Sequence, residues 1–256
     1  MIDLDIADGV ARVTLNAPER LNALGADDLR SLDSAVAEAE AAGVRALVLR
    51  GEGRAFCAGR DIAGVDPATD DVSGYLDGLV TPLLRRIADF PAPTFAAAQG
   101  ACLGVGLGLL VATDVVYVAE DAKVGSPFAA LGATLDSGGH WLLVSRLGPH
   151  RALDLIYSGR LISGTEAVAG GLFSRALPAA ELDGAVEAAA AAAAGGATQA
   201  FLASKRIVAG LRDGSLDFWG SIAAENAAQA ALRDTADYRE GFRAFQEKRR
   251  PGFTGR

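Results

Sequence analysis

Three stretches of the chain could do chemistry. Ala58-Gly59-Arg60-Asp61 and Leu103-Gly104-Val105-Gly106 are glycine-bearing turns, each after an apolar run that reads as a buried strand and each opening a loop or helix. A free backbone N–H at such a turn can donate to an anion, reinforced by the helix dipole where a helix follows. Two donors aimed at one carbonyl oxygen would stabilise an enolate, at roughly 3–4 kcal/mol per donor. The same glycines would also serve tight helix–strand packing, and spacing alone does not separate the two readings. The third stretch is Leu131-Gly132-Ala133-Thr134-Leu135-Asp136-Ser137-Gly138-Gly139-His140-Trp141. Asp136 there can cap the next helix. It can also act as a general acid/base, its pKa raised by Phe128, Leu131 and Leu135.

Other chemistries find less support. The GVGLG run would need a third glycine at 109 to bind a dinucleotide, and that residue is Leu109. Cys57 and Cys102 have no CxxC spacing and histidine occurs only 2 times, which argues against a structural zinc site or a disulfide framework. Both cysteines read as small buried hydrophobes, and His140 as an exposed turn residue. The net charge of −8 argues against nucleic-acid binding. A local basic cluster of Arg243, Lys248, Arg249, Arg250 and Arg256 could still meet a small phosphorylated ligand. The start, MIDLDIADG, lacks the basic and apolar regions of a signal peptide, and the alanine tract Ala188–Ala194 is too short to span a bilayer. A cytoplasmic, soluble protein is expected.

These residues need elements to hold them. Alternation across 2–15 around Asp8-Gly9 predicts a β-hairpin. Leu29, Leu32, Val36 and Ala39 recur at helical spacing over 26–42, closed by Gly43. Val44–Leu49, Pro93–Ala98 and Asp114–Ala119 read as buried strands. Helices are expected over 76–88 and up to Ala112, an acidic mobile loop over 66–74, and an almost wholly helical chain after Pro149. Strand–helix alternation followed by helices implies an α/β core with a helical extension.

In this order and spacing the motifs resemble the crotonase (enoyl-CoA hydratase/isomerase) superfamily. The resemblance runs through VTLNAPERLNAL at 13–24, RAFCAGRDI at 54–62 and QGACLGVGLGLLVATDVVYVAEDAKVGSP at 99–127. It continues through LGATLDSGG at 131–139, RLGPHRALDLIYSGRLISGTEAVAGGL at 146–172 and FQEKRRPGFTGR at 245–256. It implies an α/β spiral of repeated strand–helix units with two roughly perpendicular sheets. Residues 1–197 would form that core with the active site, and 198–256 a helical trimerisation region. The expected assembly is a homotrimer or a dimer of trimers.

The resemblance also implies roles. The N–H groups of Arg60 and Val105 would form the oxyanion hole, although relatives mostly carry glycine at the second place and small residues at the first. The extra methyls of Val105 would narrow the pocket. The acyl-CoA would be met by Arg20, by the backbone of Ala23 and Leu24, and by Ala58, Asp61, Ile62, Gly104, Phe128 and Leu131. Phe245 and Lys248 of a neighbouring subunit would reach the adenine and phosphates. Ala17 replaces a frequent basic residue, for which Arg20 is the candidate substitute. Phe128, the loop 64–80 and Trp141 would shape the acyl pocket.

Hydratases of this family use two glutamates, at the places of Gly108 and Phe128 here, and both are absent. Asp136 falls where enoyl-CoA isomerases and the ring-epoxide isomerases of phenylacetate catabolism carry their acid/base. The implied activity is a 1,3-proton shift on an enoyl-CoA or ring-modified acyl-CoA through an enolate. Neither a metal nor an organic cofactor is implied. The alternatives are a hydratase recruiting Asp61 or Asp136, and a catalytically silent protein that binds CoA esters.

Overall fold

The structure is a computed structural model that describes residues 1–256. The chain opens with β1 (Ile2–Ala7) and β2 (Val10–Leu15), paired antiparallel with Ala7 opposite Val10. Asp8 and Gly9 both have positive φ, 52° and 75°, the conformation that a two-residue Asp-Gly hairpin turn favours. Helix α1 (Ala26–Ala41) buries Leu29, Leu32, Val36 and Ala39, the stripe expected from spacing. β3 (Ala46–Gly51) then lies parallel to β2.

The expected acidic loop is partly structured. Asp71 caps α2 (Val72–Tyr75) by accepting the Gly74 N–H at 2.8 Å. A π-type turn over Leu76–Val80 leads into α3 (Thr81–Ala88), so the helical stretch starts four residues before the expected 76. Next come β4 (Thr94–Ala98), β5 (Ala101–Leu103), α4 (Val105–Ala112), β6 (Val115–Ala119) and β7 (Lys123–Gly125). A 3-10 turn at Phe128–Leu131 precedes α5 (Gly139–Leu147), α6 (Pro149–Ser158), β8 (Ile162–Ser163), α7 (Gly164–Ala169) and β9 (Arg175–Leu177). Four helices finish the chain: α8 (Ala179–Ala194), α9 (Thr198–Arg212), α10 (Phe218–Leu232) and α11 (Ala236–Gln246).

Two sheets result. One has the order β1-β2-β3-β4-β6-β9 and the other β5-β7-β8. From β4 onward the chain passes between them, which makes the spiral. β8 and β9 interrupt the almost wholly helical run expected after Pro149. They are two and three residues long, too short to impose a hydrophobic period on the sequence. The alanine tract has a packing role: α8 lies on β3, β4 and β6, and Leu182, Val186, Ala190 and Ala194 form its buried row.

One buried amide ties the entry segment to the rest. Asn22 is 1 % exposed and left-handed, with φ 57°. Its Oδ1 accepts the Ala17 N–H at 2.8 Å, and its Nδ2 donates to the Glu52 and Ala55 carbonyls at 3.0 and 2.7 Å. At the other end, Arg45 donates to Phe253 O and Thr198 Oγ1, and Lys205 pairs with Asp114 at 2.9 Å. These contacts seat the C-terminal helices on the core.

Asn22→Ala would leave the Ala17 N–H and the Ala55 carbonyl buried without partners, at a cost of about 2–4 kcal/mol. Urea denaturation should show the midpoint falling while far-ultraviolet dichroism in water stays native. An unchanged midpoint would mean the latch is dispensable.

Candidate active site

The two glycine turns touch. The segment through Cys57 runs parallel to β5, with Cys57 opposite Cys102. The Cys57 N–H donates to Ala101 O and the Leu103 N–H to Cys57 O, both at 2.9 Å. Each segment then turns at a glycine of positive φ, 105° at Gly59 and 53° at Gly104. A Cβ on Gly104 would stand 3.6 Å from Gly59 Cα, and one on Gly59 3.3 Å from Leu103 O. Side chains would hold the two turns apart, and both backbones demand a conformation that glycine alone adopts freely.

Each turn ends in an unused donor. Leu24 pairs with the residues flanking Arg60: its N–H donates to Gly59 O at 2.9 Å, and its carbonyl accepts from the Asp61 N–H at 3.1 Å. Strand geometry therefore turns the Arg60 N–H to the opposite side, where no protein acceptor takes it. Val105 is the first residue of α4, and the helix makes its first closing bond from the Gly108 N–H to Gly104 O. The Val105 N–H is thus an orphan donor at the positive end of a helix. Its side chain is 2 % exposed and lies in the main core cluster. Contrary to expectation, those methyls fill protein interior and do not narrow an open pocket.

The Arg60 side chain is fully committed. Its guanidinium donates to both carboxylate oxygens of Asp70, at 2.9 and 2.5 Å, and lies 4.2 Å above the centre of the Tyr75 ring. The Tyr75 hydroxyl in turn donates to Leu24 O at 3.0 Å. The bond to Arg60 holds the Asp70 carboxyl below its ordinary range. So the loop expected to be mobile is pinned across the turn that carries the first donor. Asp70 and Tyr75 escaped the sequence reading. Ten and fifteen residues separate them from Arg60, and no local pattern joins them.

Asp136 lies between the 3-10 turn and α5. It does not cap that helix: the N-cap is Gly138, without any side-chain bond, and only the main-chain carbonyl of Asp136 takes part, accepting from the Gly139 N–H at 2.9 Å. The half-buried carboxylate accepts one hydrogen bond, from Ser137 Oγ to Oδ1 at 2.8 Å. Burial pushes its pKa up, opposed by the Ser137 bond and by the nearby positive charge of Arg60. Of the three expected wall residues, Leu135 is buried, the Phe128 ring lies against Gly104, and Leu131 is 61 % exposed. Leu131 therefore faces solvent within one chain.

The remaining expected contacts are dispersed. The Arg20 guanidinium donates to Asp28 at 2.8 and 2.9 Å and to Asp61 at 3.1 Å. That use removes it as a free cation replacing Ala17, and it occupies Asp61, whose other oxygen accepts the Ala63 N–H. Ala58 donates its N–H to Leu21 O, Ala23 is half-buried and Ile62 is 51 % exposed. Phe245 is 86 % exposed on a groove of about 510 Å³ built wholly from residues after 196, and Lys248 follows α11. Within one chain neither joins Arg60 and Asp136. A larger groove, about 630 Å³, lies behind α4 and is lined by Trp141, Phe173, Phe201, Lys205 and Arg212. Trp141 faces that groove beneath Arg212, and not the expected acyl pocket. Cys57 and Cys102 are buried, and burial pushes the Cys57 thiol up to about 12. No three His, Cys, Asp or Glu side chains converge as metal ligands would. No helix is long and apolar enough to cross a membrane.

A half-buried carboxylate is a burden on the fold. The folded pKa of Asp136 lies above its ordinary 3.8, so ionised Asp136 destabilises the native state at neutral pH. The burden vanishes as pH falls through the raised value and is gone below the ordinary one. Asp136→Asn should therefore raise Tm by about 1–3 °C at pH 7. The gap should close below pH ~4. Calorimetry across pH checks this, and a mutant that melts lower at pH 7 would contradict it.

The comparisons with known proteins agree with this fold. A family model described as "Enoyl-CoA hydratase/isomerase" matches residues 5–256. A Rhodobacter capsulatus protein named "Probable enoyl-CoA hydratase" is 38 % identical over 256 residues, covering 100 % of this chain and 98 % of its own. The "1,2-epoxyphenylacetyl-CoA isomerase" of Escherichia coli is 33 % identical over 253 residues, covering 97 % and 96 %. The crystal structure of an enoyl-CoA hydratase from Bacillus anthracis superposes with a TM-score of 0.90 at 29 % identity, over 100 % of this chain and 99 % of that one. Sequence and fold thus agree from end to end, and the chain belongs to the enoyl-CoA hydratase/isomerase family, within the crotonase superfamily.

Proposed function

We propose that the protein is an acyl-CoA isomerase that shifts a double bond by 1,3-proton transfer, with Asp136 as its acid/base. The observation that carries this reading is the carboxylate inventory around the paired turns. Two unused N–H groups, on Arg60 and Val105, come from touching turns. One half-buried acid, Asp136, stands near enough for the Arg60 charge to act on it. Positions 108 and 128, where a second and third acid could stand, hold Gly108 and Phe128.

The chemistry follows from that set. The thioester oxygen of a 3-enoyl-CoA accepts from the Arg60 and Val105 N–H groups, which acidifies the protons on C2. The Asp136 carboxylate removes one of them. The C–H electron pair becomes part of a dienolate whose negative charge rests on the oxygen between the two donors. The now neutral Asp136 returns the proton to C4, the double bond settles between C2 and C3, and the acid is again a carboxylate. Only a proton moves, so the step needs neither metal nor organic cofactor. A raised pKa suits a group that must hold a proton between two transfers.

The same reading takes residues 1–197 as the catalytic spiral and 198–256 as a trimerisation region. Phe245 and Lys248 of a neighbouring subunit would then meet the adenine and phosphates of CoA. The exposure of Phe218, Trp219 and Phe245, at 68 %, 73 % and 86 %, supports an apolar partner for those helices. The substrate side of the proposal includes ring-modified acyl-CoA esters as well as linear ones, with homotrimers or dimers of trimers as the working assembly.

A hydratase is the second reading, favoured by the names of most relatives, which say hydratase. The two separate by assay. Purified protein with 3-enoyl-CoA substrates of several chain lengths should form the conjugated 2-enoyl thioester, followed by its ultraviolet absorbance. Asp136→Asn should lower that rate by about 10²–10⁴-fold. Hydration of crotonyl-CoA that survives Asp136→Asn would sink the isomerase reading. Tight binding of CoA esters without any turnover would point to a silent binder.

A further inference from the structure

We infer that Ser137 is the positioning residue for Asp136, wedged against α4 in space that exists because residue 108 has no side chain. The inference rests on Asp136 being the acid/base proposed above. A Cβ built on Gly108 would overlap Ser137 Cβ, and would stand 3.0 Å from Ser137 O and 3.3 Å from Ser137 Oγ. The serine therefore sits directly on the backbone of α4. Its φ is 53°, a left-handed conformation that a residue with a Cβ rarely adopts. Something must hold it there. The next residue, Gly138, is also left-handed at 86° and would meet Val111 with any Cβ. The Gly139 N–H closes the turn onto Asp136 O.

The left-handed turn has a chemical consequence. It folds the Ser137 hydroxyl back onto its own neighbour, where it donates to Asp136 Oδ1 at 2.8 Å. Asp136 Oδ2 has no protein partner. One carboxylate oxygen is thereby anchored to a rigid helix and the other is left as the base. The other groups facing Asp136 do not do this. Arg60, from the Gly59 turn, spends its guanidinium on Asp70. Tyr75, from α2, gives its hydroxyl to Leu24 O, and its phenol is pushed up chiefly by burial, with Asp136 a minor contributor. His140, on α5, faces Thr134 Oγ1 at 3.4 Å. Ser137 alone holds the carboxylate.

The test is the pH dependence of kcat and KM for isomerisation of 3-enoyl-CoA by the wild type, Ser137→Ala, Ser137→Gly, Ser137→Asn and Gly108→Ala, with folding checked by dichroism. Losing the hydroxyl should lower kcat about tenfold in both the Ala and Gly variants, the scale of one hydrogen bond to a charged group. KM should stay where it is. The acid limb of the kcat profile should move to higher pH, because the lost bond favoured the ionised carboxylate. Asparagine tolerates the left-handed turn and carries an N–H donor, so Ser137→Asn should recover most of kcat. Gly108→Ala, by displacing the serine, should reproduce the Ser137→Ala profile. A folded Ser137→Ala enzyme with unchanged kcat and unchanged acid limb would overturn the inference. So would equal losses in the Ala and Asn variants without any movement of the limb, since packing alone would then explain them. A wild type that fails to isomerise, or an Asp136→Asn enzyme that still does, would instead remove the underlying reading.

Discussion

Everything at this site depends on two backbones touching at Gly59 and Gly104. The parallel pairing of Cys57 with Cys102 brings both segments to the same level, and each then turns with a positive φ. A methyl group on Gly59 would press on Leu103 O at 3.3 Å, and one on Gly104 would press on the Phe128 ring at 3.2 Å. Gly106 obeys the same constraint as the second residue of α4, where a Cβ would lie 2.6 Å from Cys57 Cβ. Small residues are thus the condition for the helix to start against the neighbouring strand. The start of that helix is what leaves the Val105 N–H unpaired.

Around that contact the chain uses charge to hold loops rather than to meet ligands. Arg20 bridges Asp28 and Asp61, and Arg60 grips Asp70 while resting on Tyr75. Isolated surface pairs contribute little, but these side chains are partly buried: Arg60 meets Asp70 two-pronged, and Arg20 ties two carboxylates together through separate nitrogens, which adds orientation to energy. Both latches end on the same short stretch, residues 60 and 61. The peptide N–H of Arg60 is therefore held from the Leu24 side by the strand-like pairing, and from the solvent side by its own side chain. A bulky residue beside this free N–H is accommodated because its bulk is directed away to Asp70.

The acid is maintained against the interest of the fold. Half-burial disfavours the charged form of Asp136, and only the Ser137 hydroxyl and the more distant Arg60 offset that cost. A fully exposed carboxylate would avoid that cost and would keep its ordinary pKa. The absence of a side chain at Gly108 works in the same direction. It admits Ser137 onto α4, and the serine then fills the space that a side chain at 108 would need. The turn and the helix thus leave one half-buried carboxylate, Asp136, held by Ser137.

Much was legible in the sequence because it was written in contiguous patterns. The hairpin turn at Asp8-Gly9, the α1 stripe, the long strands and the order of motifs that marks the family are all local signals, set by backbone preference and hydrophobic period. The candidacy of Gly59, Gly104 and Asp136 could be read the same way. Partnership could not. That Arg20 and Arg60 are consumed by aspartates, that Val105 points into the core, that Trp141 faces a different groove and that Leu131 faces solvent were decided by which surfaces the spiral brings together. Strands β8 and β9 were invisible for a related reason, since two or three residues become a strand only when a neighbour supplies the hydrogen bonds. The pairing of Gly108 with Ser137 makes the point most sharply. The two residues are 29 positions apart, no local pattern joins them, and only the packing of the Asp136 turn on α4 makes one the condition for the other.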